Sequence, residues 1–287
     1  MGSSLFGYAV ASEFPLERLT DAPAPRGRLS VVSASRPLLD DEGELVAWME
    51  ADQPARWLAL ARSPAGLLGA CSETGAFLVE PEYRRVHAEP RDGTGEAWQH
   101  RMVATAIPLL LAGLGDLVLH AAAVSLPAGA VVFCGPSGRG KSTLALRLAD
   151  AGWPVIGEDG VSIAFDEGRP VAWPGPDGVR LADGAGAPKR TRPLPAEQRA
   201  RAAAPVVAAV ALAPRTPGDL IVERLDPVTG ARAIVSSTMY APGAGFAHAF
   251  SLTARLVEAV PVFRARLPDD LARADAAARA LIARVAG

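Results

Sequence analysis

The chain has 287 residues, with 29 Lys and Arg against 31 Asp and Glu and a formal net charge of −2. That length holds one large or two modest domains, and 49% hydrophobic with 21% charged residues is a globular composition with a feasible core. The near balance of charge supplies no broad basic field for nucleic acid or an anionic membrane, so neither is expected as a partner.

Only two cysteines occur, Cys71 and Cys134. They cannot build a disulfide framework or a four-cysteine zinc site, and they fit a reducing cytoplasm. The histidines at 87, 100, 120 and 248 show no metal-ligand spacing. The first sixteen residues lack a basic region followed by an apolar run, so no signal peptide is expected. The most apolar stretch, Met102–Leu119, is interrupted by Pro108, Gly113, Gly115 and Asp116. It reads as a buried helix and a strand rather than a membrane span.

In chain order, Leu29–Val32, Trp57–Ala61, Gly66–Cys71 and Ala76–Val79 read as short strands between Pro/Gly-rich breaks. Thr94–Leu114 carries apolar residues at a helical period. Leu117–Val124 reads as one strand, Leu126–Gly129 as a turn and Ala130–Cys134 as a second strand. Ser142–Ala151 reads as a helix ended by Gly152. Pro154–Gly157 and Val161–Phe165 flank an acidic turn. Residues 166–204 are rich in Gly, Pro, Asp and Arg and are expected to be irregular loops. Pro205–Leu212 and Leu220–Leu225 return to strand character. The tail reads as helices Ala247–Val260 and Pro268–Val285 around a strand Pro261–Leu267.

One motif carries chemistry. Gly135–Pro136–Ser137–Gly138–Arg139–Gly140–Lys141–Ser142–Thr143 contains GxxxxGK[ST] between an apolar strand and an amphipathic helix. Its glycines permit positive φ, which turns backbone N–H groups inward around phosphate oxygens. The following helix start favours an anion. Lys141 is placed to reach β- and γ-phosphates, and the Ser142 hydroxyl to ligate Mg²⁺. A bare glycine turn is the alternative, but it needs no strand before it or helix behind it.

Phosphoryl transfer also needs acids for the metal and for the acceptor proton. Glu158 and Asp159 follow Lys141 by 17 and 18 positions, and their strand is expected beside the loop strand. The competing reading is a plain Asp159–Gly160 hairpin turn. His120 interrupts an apolar run, where a histidine is equally a satisfied core residue. The basic run Lys189–Arg190–Thr191–Arg192 reads either as a solvated loop or as a mobile loop that closes, with Arg180, on a phosphate or a peptide carboxylate.

The order of His120-Ala-Ala-Ala-Val, the glycine loop, and Val-Ile-Gly-Glu158-Asp159-Gly-Val resembles the catalytic domain of HPr kinase/phosphorylase. Three further segments, Ser12–Leu16, Pro174–Leu181 and Val260–Leu271, resemble HPr-kinase-related proteins of ribosomal and lasso peptide clusters. The resemblance implies an α/β fold of the HPr kinase and phosphoenolpyruvate carboxykinase kind over residues 96–287, behind a β-rich domain at 1–95. It implies ATP and Mg²⁺ as cofactors. It further implies Asp159 as base toward an acceptor serine, Glu158 and Asp159 beside the metal with Ser142, and His120 near the phosphates. Gly160 stands where true HPr kinases carry arginine, and their second, glutamate-bearing signature is not visible. Asp177 or Asp183 is the available substitute.

The expected function is therefore transfer of the γ-phosphoryl of Mg·ATP to a serine of a peptide or small protein, with a lasso-type precursor as a candidate. The alternatives are a nucleotide-binding regulator or scaffold without transfer, and an authentic HPr serine kinase. The sequence permits a homo-oligomer and specifies none.

Overall fold

The computed structural model describes residues 4–40, 43–50, 57–91, 95–182, 189–240 and 244–286. Among them are a mixed α/β arrangement of two large sheets and one two-stranded ribbon.

The first sheet follows from short alternating runs. Tyr8–Ser12 and Arg28–Ser33 bury alternate residues, as strands with one covered face do. In sheet order its eight strands are Ser4–Leu5, Tyr8–Ser12, Arg28–Ser33, Arg85–Pro90, Gly75–Val79, Gly66–Cys71, Trp57–Ser63 and Glu44–Glu50. Pairing is antiparallel except on both sides of Arg28–Ser33. The buried face packs on the helical segment Glu96–Gly113, whose Trp98, Met102, Ile107 and Leu110 share a core with Leu29, Phe77 and Val86. The expected helix is present with a π-type turn at Met102–Ala106 just before Pro108, a common response to a proline that cannot donate to the ladder.

The second sheet has an apolar core on each face, and its central strands are apolar. All six residues of Gly129–Cys134 are buried, as parallel-paired central strands require. Val131, Phe133, Ala208 and Val210 face helices Lys141–Asp150 and Ala274–Val285. Alternate residues Ala130, Val132, Cys134 and Ala209 face Ile234 of helix Pro227–Val235 and Leu252 and Leu256 of helix Ala244–Ala259. The strand order is Val155–Glu158, Ala122–Leu126, Gly129–Cys134, Ala204–Leu212, Arg169–Trp173, Val161–Asp166, Leu117–Leu119 and Thr238–Met239. Val262–Arg266 also pairs with Ala204–Leu212 and carries Ile221–Arg224 on its outer side.

Three expectations need correction. Leu117–Val124 is two strands, Leu117–Leu119 and Ala122–Leu126, separated at His120–Ala121 and hydrogen-bonded to different partners. The acid strand Val155–Glu158 does not lie beside the loop strand; Ala122–Leu126 stands between them because its tight turn to Gly129 takes that position. Residues 166–204 contain strand Arg169–Trp173 and a ribbon that pairs Val179–Ala182 with Lys189–Arg192. The basic run is thus a strand, not the loop its charge suggested.

The two sheets touch through buried polar links. Phe6 N–H donates to Pro174 O (2.7 Å). Arg26 donates to both carboxylate oxygens of Asp116 (2.7 and 2.5 Å), and the Ser162 hydroxyl donates to the same carboxylate. Among the described residues, no helix is long and apolar enough to cross a membrane.

Candidate phosphate and metal site

Strand Gly129–Cys134 delivers the chain into the glycine loop, and Lys141–Asp150 leaves it as a helix. Gly138 and Gly140 take φ of +81° and +94°, a region that L side chains rarely adopt. A Cβ on Gly140 would stand 2.9 Å from the Arg215 guanidinium, so the loop passes close beneath an arginine. Gly140 caps the helix without any side-chain hydrogen bond, which leaves the first-turn N–H groups for an external anion.

Lys141 is buried at 7% exposure, and its ammonium donates to Gly135 O (2.7 Å) and Pro136 O (3.2 Å). The lysine is therefore held along the loop by the loop's own carbonyls. Burial lowers its pKa, with Lys189 adding to the effect. Pro136, Ser137 and Gly138 are exposed, whereas Arg139, Ser142 and Thr143 are half-buried. Ser237, from the far end of the second sheet, accepts twice here: its Oγ from the Gly135 N–H (3.2 Å) and its carbonyl oxygen from the His120 N–H (2.7 Å).

The acids come to this loop from Val155–Glu158. Ser142 Oγ donates to Glu158 Oε1 at 2.5 Å, so the motif hydroxyl and the first acid already touch. Glu158 is 1% exposed and Asp159 8%. Asp159 has φ +66°, a left-handed conformation that Asp tolerates better than most residues but at a cost. The two flanking strands are not hairpin partners: Val155–Glu158 pairs with Ala122–Leu126, and Val161–Asp166 with Leu117–Leu119 and Arg169–Trp173. The plain hairpin reading of Asp159–Gly160 is therefore excluded.

Burial, then the neighbouring Asp159 charge, pushes Glu158 up to about 7. Burial also pushes Asp159 upward, but His100, Arg18, Lys189 and His120 outweigh it and the net direction is down. His100 is itself driven down to about 3 by burial and by Arg180, which leaves it neutral. The lasting cations beside Asp159 are therefore Arg18 and Lys189. His120 Nδ1 lies 3.1 Å from Asp159 O, and burial and Lys141 lower its pKa. A neutral His120 donating to that carbonyl fits this geometry.

The second acid position is not filled by Asp177, whose carboxylate accepts from Arg199 Nη1 (2.7 Å); Asp183 lies outside the described residues. Arg180 reaches the site through its backbone, whose N–H donates to Glu158 Oε2 (3.1 Å), while its side chain donates to Lys189 O (3.0 Å). Lys189 and Arg190 are exposed on the outer strand of the ribbon. Among the described residues no cluster of three His, Cys, Asp or Glu groups forms a metal site. Mg²⁺ takes one or two carboxylates and completes its shell with phosphates and water. The open helix start, the glycine cradle and the touching Ser142–Glu158 pair fit a Mg·nucleotide.

Four residues of the site carried no sequence signal: Arg18, His100, Arg215 and Ser237. Arg18 Nη2 lies 3.4 Å from Glu158 Oε2, and Nη1 4.0 Å from Asp159 Oδ2. His100 Nε2 lies 3.9 Å from Asp159 Oδ2. Arg215 Nη1 donates to Pro268 O (2.8 Å). A separate cavity of about 530 Å³, lined by Leu67, Glu80, Tyr83, Met239 and His248 among others, shares no residue with the loop.

No protein-family profile matches the chain, and no curated protein does. Among solved structures it is similar to the HPr(Ser) kinase/phosphatase from Coxiella burnetii, at 11% sequence identity and a TM-score of 0.31. That match covers 59% of this chain and 99% of the other. The chemistry proposed below rests on the residues of this chain.

Proposed function

We propose that the chain is an ATP-dependent phosphotransferase that uses Mg²⁺ and transfers the γ-phosphoryl group to a serine hydroxyl of a peptide or small protein. The observation that carries this reading is the convergence of the loop hydroxyl Ser142 with two buried acids from a strand that is not its neighbour. A mere phosphate-binding turn has no need of Glu158 and Asp159 at that place.

Lys141 and the loop N–H groups bind and orient the phosphates. Ser142 and Glu158 would hold Mg²⁺, which when bound offsets charge on the phosphate oxygens. Asp159, kept ionised by its cationic neighbours, accepts the proton of the attacking hydroxyl. His120, neutral and bonded at the Asp159 carbonyl, fixes the turn that presents this carboxylate. Arg180, Lys189 and Arg190 form a basic ribbon at the side of the site for an acceptor or its carboxylate. A lasso-type precursor peptide is a candidate acceptor, and residues 96–287 are proposed as the catalytic part, with 1–95 as an accessory one. The protein would act in the cytoplasm, without nucleic acid or membrane, alone or as a homo-oligomer.

The test is incubation with Mg·ATP and serine-bearing peptides, with products weighed for one added phosphate. Phosphorylated peptide is the expected result. ADP without a phosphorylated acceptor would favour a second reading, a nucleotide-binding regulator. Phosphorylation of HPr in the same assay would identify an HPr serine kinase.

A further inference from the structure

Arg18 belongs to the first sheet's half of the chain, yet it ends 140 residues away in sequence against Glu158. The route there is built residue by residue. Ser12 Oγ accepts from Phe14 N–H (3.1 Å), and Glu13 Oε2 accepts from Ser33 N–H (2.7 Å). Phe14 packs edge-on against Trp98, with ring centroids 6.2 Å apart. Glu17 N–H donates to Gln99 Oε1 (3.0 Å). Arg18 then turns with φ +63°. Its carbonyl accepts from Asp177 N–H (2.8 Å), its Nε donates to Asp177 O (2.7 Å), and its Nη2 donates to Gly178 O (3.2 Å). Arg18, two residues beyond Ser12–Leu16, thus joins Asp177 and Gly178 of Pro174–Leu181.

The side chain is only 5% exposed. A buried guanidinium is costly unless acids and acceptors surround it, and here the acids are Glu158 and Asp159. Nη1 has no hydrogen-bond partner and lies 4.0 Å from Asp159 Oδ2. Lys141 is engaged with Gly135 and Pro136 carbonyls, so Arg18 is the buried cation that faces both carboxylates.

We propose that Arg18 is the built-in counter-cation of the acid pair, a positioning residue that holds Glu158 and Asp159 in place and sets how tightly the site grips a divalent ion. The inference rests on the nucleotide-and-metal part of the reading above. Because backbone carbonyls anchor the guanidinium, it stays when the divalent ion arrives, and two positive charges then share the pair. Two opposite effects follow. Arg18 favours turnover by orienting the acids, and it weakens the metal by repulsion. Loss of its charge benefits a divalent ion twice as much as a competing proton, so metal binding tightens even where the acids take up a proton.

The test compares Arg18→Met with Arg18→Lys, two side chains of similar length that differ in charge. Mn²⁺ is titrated into each full-length protein with ADP present, followed by electron paramagnetic resonance, and thermal midpoints are recorded. Arg18→Met should bind Mn²⁺ about tenfold more tightly than Arg18→Lys, which should stay within about threefold of wild type. ATP turnover by Arg18→Met should fall at least about tenfold, with ADP affinity unchanged. Mn²⁺ binding by Arg18→Met equal to or weaker than by Arg18→Lys would overturn the proposal, since a purely structural arginine loosens the metal when lost. If Arg18→Met does not fold, the double variant with Glu158→Gln decides. Recovery of folding supports charge pairing, and continued failure overturns it. The Mn²⁺ measurement needs no acceptor. The expected Mn²⁺ order of the variants, together with a wild-type protein that phosphorylates no peptide, would therefore sink the kinase reading alone.

Discussion

The two large sheets are built to different rules. The first is mostly antiparallel, buries one face on a single helical segment, and covers the other only in part, over a small cluster of Leu38, Leu68, Ala76 and Leu78. The second is covered on both faces, so its central strand Gly129–Cys134 has no exposed residue at all. A strand enclosed in this way can end abruptly in a polar loop and still be rigid, because packing on both faces fixes its last residue. The glycine loop Gly135–Thr143 starts from such a strand. The first sheet supplies no loop of this kind. It contributes one arginine, carried on a segment pinned at Ser12, Glu13, Phe14 and Glu17.

This contrast can be broken by mutation, and the largest effect falls in the loop. Lys141→Ala should lower phosphotransfer by about a thousandfold or more, with little change in the circular-dichroism melt. Asp159→Asn should lower turnover by about 10²–10⁴-fold while nucleotide affinity, read by fluorescent ATP, is kept. Full activity in that variant would remove Asp159 from the role of base.

Core truncations should separate the two sheets. Phe77→Ala and Phe133→Ala each delete a fully buried ring and should each cost about 3–5 kcal/mol in urea unfolding. Only Phe133→Ala, one residue before Cys134 and the loop, should also weaken nucleotide binding in the fraction that remains folded. Equal effects of both on nucleotide affinity would mean that the sheets are coupled more tightly than their separate cores suggest. Ser237→Ala should cost about 1 kcal/mol and loosen nucleotide binding a few-fold, through the hydrogen bond from Gly135 N–H.

A further effect is that of pH. Glu158 is raised from 4.5 to about 7, so the folded, metal-free protein holds that proton more strongly than the unfolded chain. Its contribution to stability is full below about 4.5 and is lost as pH rises through about 7. A divalent ion needs the carboxylate, so metal affinity should move the other way, rising by up to about tenfold per pH unit below the folded value and levelling off above it. Calorimetry of Glu158→Gln should show that pH dependence removed.

The loop and its two acids were legible in the sequence because their chemistry is local. Gly135–Thr143 is one turn, and Glu158–Asp159 lie one helix and one short strand later. The break at His120–Ala121 was not legible, because one histidine within an apolar run is compatible with one continuous strand as well as with two. Lys189–Arg192 was misread for a related reason: four polar residues have no strand pattern of their own and become a strand only when Val179–Ala182 lies alongside.

By itself, then, the sequence determined a glycine-rich turn at Gly135–Thr143 between a strand and a helix, with two acids a short way behind it. The tertiary structure decided the rest. It put a strand between the acids and the loop, turned Asp177 to Arg199, and brought Arg18, His100, Arg215 and Ser237 to the site from four other segments. The physical reason is that a backbone cradle is fixed by neighbouring φ and ψ angles, whereas the charge that balances two buried carboxylates can come from any part of the chain that packing brings within a few ångströms.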